Sequence, residues 1–167
     1  MSALNQFQIP EKSILDINGR QTYLGNGFTL PSTPKLITTL TETPLYLIKC
    51  PSSVNNSIFM FNKKMSSDNN NIYVKYYFDP VVTSNGTAAS VVNHRFGFPG
   101  NPSISQCYSS PTVSSTGTLI STTLATQSQV SIDTIYVIDP GHMLLVTATA
   151  LTQQNSNVIV GLSWYEI

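Results

Sequence analysis

From residue 36 onward the apolar residues fall in short runs, and none of these runs carries a helical period. Residues 36–40, 45–50, 57–62, 72–78, 129–138, 142–150 and 157–167 are rich in Val, Ile, Thr, Tyr and Phe, with Gly, Pro, Asn, Asp or Ser between them. β-Branched and aromatic side chains suit a pleated, half-buried surface. Turn residues at this spacing mark an all-β chain that packs two antiparallel sheets face to face. Asn18–Gly19 lies between two apolar runs, which predicts a type I′ hairpin over residues 14–24, because both central residues need positive φ. Residues 63–71 read as a polar loop and Asn85–Gly86 as a second turn. Residues 93–117 mix Gly, Pro and Ser with aromatics, as expected of a loop folded over the body.

A chain of 167 residues suits one domain with a core that needs no staples. Hydrophobic residues are 41 % of it and charged residues only 10 %, against about 25 % in an ordinary globular protein. Ser, Thr and Asn fill the gap, so the surface is neutral and hydroxyl-rich or partly covered by a partner. The formal net charge is zero, which gives no attraction to a phosphate backbone, so no nucleic-acid partner is expected. No run approaches the roughly 20 apolar residues of a membrane span, and the first residues lack the apolar segment of a signal peptide. A soluble chain with no membrane partner is the expectation. Cys50 and Cys107 fit no zinc spacing and are expected to be free, buried thiols. Asn55 and Asn85 head chance glycosylation sequons.

Asp139 and His142 form the closest Asp/His pair, around Pro140–Gly141. A turn explains them. Pro presets φ at the first central position, Gly supplies the positive φ that a type II turn needs next, and Asp can cap the turn. An open metal site wants at least three protein ligands, and His94 lies far off beside Arg95. No Gly-x-Ser-x-Gly elbow, nucleophile signature around a cysteine, phosphate-cradling loop or marked carboxylate pair appears. Asp133, Asp139 and Glu166 carry no such arrangement. The expectation is a non-enzyme with no catalytic residues, no metal and no cofactor.

The two-residue strand period puts Tyr73, Lys75 and Tyr77 on one face of residues 72–78 and Val74, Tyr76 and Phe78 on the other. Tyr combines an apolar ring with a polar tip, as interfaces and sugar platforms require. Tyr73, Tyr77, Phe96, Phe98 and Tyr108 are therefore the candidate binding residues. Trp164 is expected in the core. Few lysines protect the sandwich edges, which argues for a symmetric oligomer that buries them. Residues 1–13 read as an arm, polar apart from Leu4, Phe7 and Ile9, ahead of a single domain over 14–167.

The order of residues 108–122, 135–150 and 157–167 resembles the small jelly-roll virion proteins of tailed bacteriophages, the head-decoration and head-fibre type. More loosely it is similar to trimeric tumour-necrosis-factor-like jelly rolls. A Pro–Gly corner feeds a hydrophobic strand, and the last strand carries Gly161 and ends in Trp-Tyr-Glu. The resemblance implies an antiparallel β-sandwich of jelly-roll type with about eight to ten strands. It also implies a homotrimer on a capsid surface, made in the host cytoplasm, that binds the major capsid protein or another virion protein. Leu4, Phe7 and Ile9 would then anchor it. The competing expectation is a carbohydrate- or receptor-binding module whose partner is a host-surface glycan.

Overall fold

The computed structural model describes residues 17–38, 40–69, 71–95, 102–152 and 154–167. One helix, α1 (Ile17–Leu24), precedes fourteen strands: β1 (Gly27–Leu30), β2 (Lys35–Ile37), β3 (Thr43–Lys49), β4 (Ile58–Ser67), β5 (Ile72–Phe78), β6 (Val81–Ser84), β7 (Thr87–Ala88), β8 (Val92–Asn93), β9 (Gln106–Ser109), β10 (Thr112–Ser115), β11 (Thr118–Ala125), β12 (Val130–Ile138), β13 (Met143–Ala150) and β14 (Ser156–Glu166). The chain is an antiparallel β-sandwich. One sheet runs β12-β4-β14-β1-β8, with β2 also on β14; the other runs β11-β5-β13-β3-β9-β7. We call these the β14 sheet and the β13 sheet. Strands β6 and β10 form a separate ribbon.

The pairing is nested. β1 pairs with β14, β3 with β13, β4 with β12 and β5 with β11. The two strands nearest the C-terminus therefore sit inside the two sheets. Along β14 the period of two turns Val158, Val160, Leu162 and Trp164 inward. β13 answers with Leu144, Val146, Ala148 and Ala150, and β5 with Ile72, Val74 and Tyr76. Trp164 is fully buried and stacks on Phe28 with ring centroids 6.4 Å apart, as the sequence led us to expect. Burying such apolar faces is the main favourable term in a sandwich, at roughly 25 cal/mol per Å².

Three local readings are corrected. Residues 17–24 are helical, not one arm of a hairpin at Asn18–Gly19. The chain takes its positive φ at Gly25 instead, at 80°. There the Gly25 N–H donates to the Thr22 carbonyl and the Asn26 N–H to the Gln21 carbonyl, a Schellman close. β1 then finds its partner in β14, so tertiary pairing overrides the local turn signal. Second, β4 continues through residues 63–67, which read as loop. A bulge opposite the Ser163/Trp164 step resets its phase, so Lys63 and Met65 turn inward. Third, β11 lies outside the runs expected to be strands, because Ser121 and Thr123 take inward positions opposite Tyr76 and Val74 and leave no apolar alternation to read.

β5 and β9 leave the β13 sheet at Asp79 (φ 50°) and Ser110 (φ 54°), each followed by a buried proline. The ribbon β6–β10 grows from these two exits. Gly117 returns the chain to β11 at φ +84°, and a Cβ there would lie 2.1 Å from the Phe78 carbonyl oxygen. At Gly141 (φ +89°) a Cβ would meet nothing nearer than the Ser52 Cβ, at 3.6 Å. Gly117→Ala is thus expected to destabilise by more than about 2 kcal/mol and Gly141→Ala by about 1 kcal/mol, because only the first adds a backbone clash to the left-handed strain. Urea denaturation of the two variants checks the order.

Candidate functional site

The Asp139–His142 corner is a turn. The His142 N–H donates to the Asp139 carbonyl at 3.0 Å, and Gly141 has the positive φ of a type II turn. The Asp139 carboxylate does not cap its own turn; it accepts from Ser57 Oγ at 2.6 Å. His142 pairs elsewhere, with Nδ1 2.8 Å from Asp79 Oδ2. Asp79 also accepts from the Met143 N–H at 3.2 Å. Both side chains of this pair are about half exposed, so it pins the exit of β5 to the corner rather than building an enclosed site. His94 is separate: Nε2 lies 2.8 Å from Thr29 Oγ1, and burial lowers its pKa. Among the described residues no three His, Cys, Asp or Glu side chains are grouped to hold a metal. Cys50 and Cys107 are free and buried, and burial pushes the Cys107 thiol up to about 12.

The candidate aromatics are dispersed. Tyr73 is exposed and lies opposite Leu124 and Thr149. Tyr77 faces the same side of β5 but is buried, a correction to its reading as an accessible platform. Tyr108 is half-buried opposite Leu47. Tyr77, Leu145, Leu47 and Tyr108 thus form one row across the outer side of the β13 sheet. Leu47 and Leu145 there are fully buried although they point away from the core. Phe96, Phe98, Leu4, Phe7 and Ile9 lie outside the described residues.

What covers Tyr77 includes a polar knot that sequence reasoning missed. Glu42 accepts from Thr147 Oγ1 at 2.5 Å and from Lys75 Nζ at 2.9 Å, and also bonds the Tyr77 hydroxyl. Burial pushes the Glu42 pKa up, but these hydrogen bonds and the Lys75 charge outweigh it and hold the carboxyl below its usual range. Burial, then Glu42, pushes the Tyr77 phenol up to about 12. Glu42 precedes β3 in a turn with no periodic signal, so nothing in the sequence pointed to it.

Two buried polar groups also escaped notice. Lys63 is 1 % exposed and turns into the sandwich. Its Nζ donates to Tyr136 Oη at 3.1 Å and Ser121 Oγ at 3.4 Å, 4.3 Å and 4.6 Å from the ring centres of Tyr76 and Tyr136. Two aromatic faces replace the usual carboxylate. Glu166 is also buried. It accepts from the backbone N–H groups of Ile104 and Ser105, from Ser103 Oγ and from the Trp164 indole N–H, tying residues 103–105 to the end of β14. The inward phase Leu162–Trp164–Glu166 was the signal that could have placed it.

The outer side of the β14 sheet carries a groove of about 320 Å³ lined by Thr29, Ser32, Lys64, Ser66, Gln129 and Ser163, among others. It is an open, hydroxyl-rich depression over Gly161. The arrangement brings together hydrogen-bond donors and apolar edges but no nucleophile–base pair. Comparison of the sequence with protein-family models and with curated proteins returns no match.

The Glu42 knot sets a pH dependence. A carboxyl held below its unfolded value, about 4.3, adds stability above that value and loses it as pH falls through the folded one. Glu42→Gln is expected to destabilise by about 1 kcal/mol at pH 7, with the gap to the unaltered protein closing below about pH 4; urea melts at pH 7 and pH 3 read it. For Lys63, exchange for the apolar, similar-sized Met is expected to leave stability equal or higher, while Lys63→Ala loses about 2 kcal/mol or more through the cavity. Equal losses in both would mean the ammonium itself holds the tyrosines.

Proposed function

We propose that this chain is a non-enzymatic virion structural protein: a homotrimeric jelly-roll subunit that decorates the outer surface of a tailed-phage head or forms part of a head fibre. The observation that carries this reading is the strand order. Taking the eight strands of the nested pairs in chain order, the sheets run first-eighth-third-sixth and second-seventh-fourth-fifth. Such an order is consistent with a ribbon of paired strands rolled up on itself, as in the double-sheet jelly rolls of viral capsid and lectin domains, and it supports the jelly-roll reading. Of the three segments that carry the resemblance, 135–150 takes in the end of β12 and all of β13, and 157–167 makes most of β14; β13 and β14 are the hubs of the two sheets. The sparse charge supports the same reading, because interface centres are depleted in Lys, Glu and Asp.

The second reading is a carbohydrate- or receptor-binding module. The groove over Gly161 favours it, since hydroxyl, amide and ammonium groups converge on one depression. A glycan array would separate the two: reproducible sugar binding lost in Gly161→Val supports the module, and an empty array supports the structural role.

The primary test is mass and particle binding together. Light scattering is expected to give three times the 18.2 kDa chain mass, and the protein is expected to cosediment with emptied heads of the virus that encodes it. Removing residues 1–12 is expected to abolish cosedimentation and leave the far-UV circular dichroism unchanged. A monomer that ignores the heads would overturn the proposal.

A further inference from the structure

The two flanks of the sandwich are built differently. On one side the sheets end in β7 and β8, strands of two residues each. Very short edge strands are a standard protection against edge pairing. On the other side the sheets end in β11 and β12, of eight and nine residues, consecutive in the chain. Lys63 shows that these two edges lie together, because its ammonium reaches Ser121 of β11 and Tyr136 of β12 at once.

This long flank lacks the charged protection of an ordinary edge. Asp133 is the only charged residue in β11 and β12. No lysine or arginine follows Arg95 anywhere in the chain. The flank also exposes large aliphatic side chains: Ile135 is 77 % and Val137 39 % exposed on β12, and Leu119 52 % and Leu124 37 % on β11. Both strands carry a bulge, β12 between Asp133 and Tyr136 and β11 between Leu119 and Ser121. Bulges disrupt an uninterrupted ladder. Such a flank favours side-chain packing around Ile135 over strand addition along its whole length.

We infer that the β11–β12 flank is the surface through which copies of this chain assemble, which rests on the oligomeric virion reading and gives it an interface. A second copy fits better than an unlike partner on grounds of charge. The surface has almost no charge for a distinct partner to read, and with so little charge it does not repel itself. Its size sets the strength of the contact. Nine residues at about 3.3 Å span about 30 Å, and two sheets about 10 Å apart with their side chains are about 20–25 Å across, so each copy offers on the order of 600–750 Å² to the copies around it. In a trimer closed around this flank each copy meets two neighbours, so each contact takes about half of that area, below the roughly 800 Å² per partner of a standard interface, and the assembly is expected to dissociate on dilution.

The test is the solution mass of Ile135→Lys beside Ile159→Lys, a control on the outer side of the β14 sheet. Ile135→Lys is expected to fall to a single chain at concentrations where the unaltered protein and Ile159→Lys stay oligomeric. If Ile135→Lys loses its circular dichroism, Leu119→Lys takes its place with the same expectation. An oligomer that persists in the flank variant overturns the inference and leaves the virion reading standing. A monomeric unaltered protein overturns it too, and cosedimentation with heads then decides separately whether the decoration role survives.

Discussion

The rest of the molecule depends on the last strand finding the first. β14 is eleven residues long and pairs with β4 on one side and with β1 and β2 on the other. Without it the β14 sheet separates into fragments too short to stand alone, since an isolated pair of strands is marginal in water. The closure is made late in the chain and spans most of its length, so the fold accepts a large loop-closure cost before its central contacts form. That cost explains the quality of β14 itself. Its four inward side chains, Val158 through Trp164, are at most 1 % exposed, and its outward side has a Gly at 161 where the Ser32 side chain comes close.

The same closure dictates how the interior treats polarity. β14 ends on an inward position, and that position holds Glu166. A buried carboxylate is costly unless it is bonded, and here two backbone N–H groups and the Trp164 indole face it. The residues that satisfy it come from the stretch before β9, so the charge also fastens a long connection to the sandwich end. Lys63 meets the opposite problem at the β4–β12 side. It faces two tyrosine rings and two hydroxyls and no described carboxylate. A cation held this way meets Tyr76 from one sheet and Tyr136 from the other, so it links the two sheets where their long edges meet.

How much of this was legible follows from the period of two. Where the apolar runs were clean, as in β5, β13 and β14, the sequence located the strand, separated the two sides of β5 and placed Trp164 in the core. The Pro140–Gly141 corner was equally readable, because its chemistry is local. The failures have one cause: a non-local partner changed the phase or replaced a local preference. Asn18–Gly19 lost its hairpin because β1 pairs with β14. Lys63 looked solvated until the bulge in β4 turned it inward. Tyr77 looked like a platform, yet Glu42, distant in sequence, closes over it. Glu42, Thr147, Lys75 and Tyr77 come from three separate elements and carry no shared spacing, so no reading of one strand at a time could assemble them.

Charge is distributed along the chain as structure is. All lysines and arginines precede residue 96, while the hubs β13 and β14 and the long flank β11–β12 come afterwards. The hub β13, buried along almost its whole length, has no place for a cation, so its neutrality follows from packing alone. β11 and β12 have no such reason, because each has a side open to solvent. Lysine is the common guard of an exposed edge. A chain that keeps its edge strands as neutral as its core strands, while trimming the opposite flank to two-residue strands, treats the two flanks as different kinds of surface. The blunt flank is finished by the fold itself. The long one keeps exposed Ile135 and Leu119, whose burial would follow the same physics that folds the core.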